Sequence, residues 1–100
     1  MQLPKTLNIV GKTFQVEIVK DLKQENGEGA CGVCFAADQR IQIDPQFPAE
    51  SQESTLLHEI LEAINTLTEM GLNHRQICTL ETCLHQILKD NKLHFDKAGD

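Results

Sequence analysis

Between Thr6 and Val19 apolar side chains occupy alternate positions, Leu7 and Ile9 first, then Phe14, Val16 and Ile18, on either side of Gly11-Lys12. Successive side chains of a strand point to opposite faces, so two alternating runs about a glycine-bearing break predict a β-hairpin. Residues 20–30, KDLKQENGEGA, are charged and glycine-bearing and predict an exposed loop. In the following CGVCFAADQRIQID, Val33 and Phe35, then Ile41 and Ile43, flank Asp38-Gln39 as two short strands about a turn. Asp44-Pro45 ends the sheet, because proline has no N–H to give to a ladder.

The period then lengthens. From Glu50 to about Met70, Leu56, Leu57, Ile60, Leu61, Ile64 and Leu67 form one broad apolar face, and Gly71 is placed to stop the helix. Asn73, with Gln76 three residues on, resembles a capping box that opens a second helix along Ile77, Leu80, Leu84, Ile87 and Leu88, running to about Asn91. Residues 92–100 read as a loose tail. Three or four N-terminal strands followed by two C-terminal helices predict an α+β fold, a small antiparallel or mixed sheet packed on two helices, in a single domain over residues 1–100.

Composition narrows the function classes. A chain of 100 residues, 40% hydrophobic and 24% charged, suits one globular domain with a limited core. Nine Lys and Arg against fifteen Asp and Glu give a net charge of −6, and the four aromatics are all Phe. That balance speaks against nucleic acid or an anionic membrane as partner. No apolar run approaches the roughly 20 residues that cross a bilayer, and Met1-Gln2-Leu3-Pro4-Lys5 has no signal-peptide character, so a soluble, cytoplasmic protein is expected. Without a secretion signal, Cys31, Cys34, Cys78 and Cys83 are expected as reduced thiols or metal ligands.

The first helix carries His58-Glu59 followed by Glu62. In the HExxH pattern of zinc peptidases, positions i and i+4 share a helix face and bind one ion while the intervening Glu activates its water. Here a glutamate holds the second ligand position, at a spacing that still lets carboxylate oxygen reach a shared ion. On the helical wheel His58, Glu62, Asn65 and Glu69 form a stripe nearly opposite the apolar face, the usual arrangement of a solvated face. On the second helix His74, Cys78, Glu81 and His85 follow one another at steps of four, three and four, beside the apolar line. They could form a ligand edge, or Glu81 and His85 could simply pair with each other. Cys31-Gly32-Val33-Cys34 has CxxC spacing without a second such pair, which leaves a Cys-rich site from Cys31, Cys34, Cys78 and one His as a rival, or a disulfide under oxidation.

The segments LLHEILEAI and LNHRQICTLETCLHQILKDN, in this order, resemble the small zincin-like metallopeptidase proteins encoded by phages and prophages, distant relatives of the ImmA/IrrE peptidases. That family typically shows LLHEILHAI and a second helix of the form LSEEQVxxLSNGLYxVLxDN. Upstream, Ile9 to Glu17 is similar to its VxGxxYxVE hairpin and Arg40 to Asp44 to its strand ending in IxID, so the resemblance covers nearly residues 7–91. It implies a minimal zincin-like fold in the cytoplasm of a bacterial host cell, one zinc ion, and hydrolysis of a peptide or protein substrate by metal-activated water. Position by position it implies His58 as first ligand, Glu59 as general base and Glu62 in place of the second His. With Ile77 matched to the Val of the second helix, His74 stands in place of the family's ligand Glu. His58, Glu62 and His74 then keep a two-His, one-carboxylate set with a position open for water. His85 falls where the family has Tyr, as a possible oxyanion donor. Glu81 or His85 in place of His74 stays open, and the exchange at Glu62 makes a catalytically inactive zincin-fold interaction module, with or without metal, the alternative.

Overall fold

The computed structural model describes residues 3–24 and 26–93. Val10 and Gly11, with φ of 51° and 76°, reverse the chain between β1 (Thr6–Ile9) and β2 (Lys12–Ile18). Positive φ at both central residues is the type I′ geometry that matches the twist of a hairpin. The turn is thus Val10-Gly11, one residue earlier than Gly11-Lys12, and β1 and β2 pair antiparallel with Leu7 opposite Phe14.

Two short strands follow, β3 (Gly32–Phe35) and β4 (Arg40–Ile43), joined by the expected turn and paired antiparallel with Cys34 opposite Ile41. The sheet order is β1-β2-β4-β3, and β4 runs parallel to β2 with Val16 opposite Ile41 and Ile18 opposite Ile43. The sheet is therefore mixed. Phe14, Ile41 and Ile43 are fully buried, and with Ile9, Leu56 and Ala63 they make the core.

The expected exposed loop before β3 has an anchor. Leu22 is buried, and its N–H donates to Asp44 Oδ2 at 3.1 Å. Gln46 donates to the same carboxylate from its backbone N–H (3.0 Å) and from Nε2 (3.1 Å). These donors, the Gln46 backbone N–H first, hold the Asp44 carboxyl below its ordinary pKa even though burial opposes the charge. Asp44 thus does more than end a strand: it ties the loop to the sheet.

The first helix, α1 (Ala49–Thr68), lies across the sheet. Its buried line is Leu56, Glu59 and Ala63, supported by Ile60, Ile64 and Leu67. At 100° per residue the Leu56-Glu59-Ala63 line is rotated by roughly 100° from the Leu57-Ile60-Ile64 face expected from hydrophobicity, and the rotation takes Glu59 inside. The stop is Glu69 in the left-handed conformation (φ 53°), its N–H bonded to Asn65 O, rather than Gly71. Asn65, expected on a solvated stripe, clamps the turn instead: its side chain accepts from Leu72 N–H at 2.8 Å and donates to Leu72 O at 3.1 Å.

The second helix, α2 (His74–Asn91), begins as expected, with Asn73 Oδ1 accepting from Gln76 N–H and Gln76 Oε1 accepting from Asn73 N–H, both at 2.9 Å. Only Ile77 of α2 is buried. No helix among the described residues is long and apolar enough to cross a membrane. Of the tail expected over 92–100, residues 94–100 lie outside the described residues. The architecture is the expected α+β one: four strands, then two helices.

Gly32 sets the distance between sheet and helix. A Cβ there would stand 2.5 Å from Thr55 Cγ2 and 3.2 Å from Gln42 O, so only glycine lets β3 approach α1 this closely.

Candidate metal centre

A cleft of about 930 Å³ opens where α1, α2, β3 and the loop before β3 meet. The wall from β3 and its approach is Cys31 to Phe35; α1 contributes Thr55, His58, Glu59 and Glu62, and α2 contributes His74, Cys78 and Glu81. Among the described residues β3 is an edge strand, with one side of its backbone free of sheet partners at this cleft.

The seam between the helices is polar. His58 Nδ1 lies 2.8 Å from Glu81 Oε1, and Ser54 Oγ–H donates to the other oxygen of the same carboxylate. His74 Nε2 lies 3.3 Å from Cys78 Sγ, and the His58 and His74 rings meet edge to face at 5.6 Å between centroids. Ligand atoms of His58, Cys78 and Glu81 all lie within 4.8 Å of one another, a group that can hold a metal ion. The spacing explains the convergence: Cys78 and Glu81, three residues apart, share the α2 stripe that faces α1, and Ser54 and His58, four apart, share the opposing stripe.

Glu59 stands beside this group and is 7% exposed. Burial, with the Glu62 and Glu81 carboxylates adding to it and His58 opposing, pushes its pKa up to about 7. Cys34, on β3 facing these glutamates, is pushed up to about 12, by burial first and then by Glu59 and Glu62. Its thiol is therefore protonated and unreactive at neutral pH.

Four of the sequence-predicted residues, His58, Glu59, Glu62 and His74, line this one cleft. The stripe of His58 and Glu62, which looks solvated on a helical wheel, is half-buried there. The compact donor group among the described residues joins His58 to Cys78 and Glu81, while Glu62 and His74 line the same cleft outside it. Glu81 is the open alternative for the α2 ligand, and Cys78 is singled out in the sequence both on its stripe and in the rival Cys-rich set; Ser54 has no signal there. His85 is not in the cleft. Its Nε2 lies 3.3 Å from Glu53 Oε1, which also receives Lys89 Nζ at 3.1 Å, so neither an oxyanion role nor a Glu81–His85 pair is built. Both partners of Glu53, Lys89 first, hold its carboxyl below the ordinary value, against burial.

Cys31 and Cys34 line the cleft, but among the described residues the compact donor group does not include them. All four cysteines are free thiols. No protein-family model matches the chain, and neither a curated protein nor a solved structure matches it.

Proposed function

We propose that the cleft is the metal centre of a zinc-dependent peptide hydrolase of the zincin-like, phage or prophage type that the sequence resembles. The observation that carries this reading is the donor group of His58, Cys78 and Glu81, all within 4.8 Å, with the buried carboxyl of Glu59 next to it on α1. A mixed set of imidazole nitrogen, thiolate sulfur and carboxylate oxygen suits zinc better than magnesium or calcium, which favour all-oxygen shells. Zinc bound there would lower the pKa of a coordinated water towards about 7 and polarise a carbonyl.

The chain's own residues supply the rest. Glu81 Oε1, 2.8 Å from Nδ1, orients the His58 ring. Ser54 holds the other Glu81 oxygen and so the rotamer. Glu59, buried beside the donor group, can accept a proton from water and return it to a leaving amine. The free edge of β3 offers backbone donors and acceptors to an extended peptide lying along the cleft.

One observation favours the alternative, an inactive interaction module: Glu81 already satisfies both His58 and Ser54, so the hydrogen bonding of the seam closes without a metal. The deciding experiment is elemental analysis of protein purified without chelator or metal-affinity tag, beside His58→Ala, followed by hydrolysis of casein-derived peptides by wild type and Glu59→Gln. About one zinc per chain, lost in His58→Ala, with peptide cleavage lost in Glu59→Gln, supports the enzyme. Zinc retained in His58→Ala, or cleavage indifferent to Glu59→Gln, overturns it.

A further inference from the structure

The apolar line of α2 does not face α1. The stripe turned to α1 is the polar one, with Glu81 on His58 and Ser54, and His85 and Lys89 on Glu53. Beside it Leu80, Leu84, Ile87 and Leu88 are 40%, 36%, 41% and 37% exposed, and Leu93, just past the helix end, is 46% exposed. Isolated surface leucines are ordinary, but a continuous line at steps of four and three along one helix is a seam lacking its partner.

We propose that this face pairs with α2 of a second copy of the chain, antiparallel, in a two-fold dimer. Its pattern is self-complementary. A two-fold axis at Leu84 sets Leu84 of one protomer on the partner's Leu84 and Leu80 on the partner's Leu88, with Ile87 flanking, and antiparallel helices oppose their dipoles favourably. Charge does not obstruct it. Across residues 76–92, the stretch centred on Leu84, the Asp, Glu, Lys and Arg residues are Glu81, turned to His58, Lys89, turned to Glu53, and Asp90 and Lys92 near the helix end. The five side chains leave on the order of 350 Å² of apolar surface per chain, about 700 Å² for the pair, just under the roughly 780 Å² of apolar area that the smallest stable homodimer interfaces bury, which points to a weak dimer. Pairing would also brace the helix that carries Cys78 and Glu81, of which only Ile77 is buried within one chain.

Sedimentation equilibrium of the full chain from about 1 μM to 1 mM, with chelator present so that the result is independent of the metal reading, tests the proposal. The expected mass rises from 11.2 kDa to twice that value. Leu84→Glu, at a half-exposed position where folding is retained, should stay monomeric throughout with unchanged helical circular dichroism; Leu80→Glu provides the same reading should Leu84→Glu unfold. Leu84→Cys in a Cys83→Ser background should oxidise to a covalent dimer well above the wild-type background, because the axis brings the two thiols together. A wild type that remains monomeric at the highest concentration, a species larger than a dimer, a Leu84→Glu variant that still pairs, or a Leu84→Cys variant that does not crosslink overturns the proposal.

Discussion

The metal-free protein should gain stability at neutral pH when Glu59 is replaced by glutamine. Folding moves the Glu59 pKa from 4.5 to about 7, with burial as the chief cause. Because the folded-state value is raised, the group's contribution is fully present below about pH 4.5 and is lost as pH rises through 7, where the folded chain must release a proton that the unfolded chain has already released. At about 1.36 kcal/mol per pH unit the full loss is on the order of 3 kcal/mol. Glu59→Gln has the same shape and no proton to lose, so wild type and variant should have parallel stabilities near pH 5 and separate between pH 5 and 8. The gap above pH 8 should approach 3 kcal/mol, roughly 10–20 °C in melting temperature for a domain of this size. Urea unfolding of both proteins in chelator at half-unit pH steps measures this directly; a constant offset from an imperfectly bonded glutamine does not affect the slope. Profiles that stay parallel up to pH 8, or a variant that loses ground as pH rises, would show that Glu59 is not desolvated as described. Saturating zinc should narrow the gap, since a nearby cation stabilises the glutamate charge.

Further outcomes follow from other parts of the structure. Gly32→Ala should destabilise by roughly 1–3 kcal/mol through overpacking against the stiff Thr55, and Thr55→Ala should restore most of the loss; urea midpoints of the two single variants and the double decide it. Asp44→Ala should release the loop before β3, seen as faster amide exchange at Leu22, while the wild-type contribution of Asp44, whose pKa is lowered, should persist above the ordinary carboxylate range and fade as pH falls below it. In zinc titrations Cys78→Ser and Glu81→Ala should weaken binding at least tenfold and more than Glu62→Gln or His74→Ala; the reverse ranking would move the ion to the His58, Glu62 and His74 set that the sequence resemblance implies. His85→Ala should leave zinc affinity within about twofold, because its partner is Glu53.

What was legible in the sequence was local. The hairpin at Val10-Gly11 and the Asn73–Gln76 box are set by residues within a few positions of each other, so pattern and turn chemistry found them to within a residue. The rotation of α1 was not legible, because hydrophobicity alone treats Glu59 as a surface residue, and only the surrounding glutamates and the sheet show that it is held inside with a raised pKa. The anchoring of Leu22 by Asp44 spans 22 residues and carries no periodic signal. For the site, helical spacing placed His58 and Glu62 on one stripe and His74, Cys78, Glu81 and His85 on another. Which members meet depends on the register between the helices, and this sets Glu81 on His58 and sends His85 to Glu53.

The parallel pairing of β2 with β4 also governs how the cleft comes into being as the chain folds. Gln15 pairs with Arg40, and closing that loop costs more entropy than closing either antiparallel hairpin. The β1–β2 and β3–β4 hairpins can each form from neighbouring residues, whereas β4 has to dock beside β2 before β3 becomes the outer strand. Joining the two hairpins is thus the slow, non-local event expected to limit the folding rate. The donor group depends on the joined sheet, because α1, which carries His58, packs against β1, β3 and β4 alike.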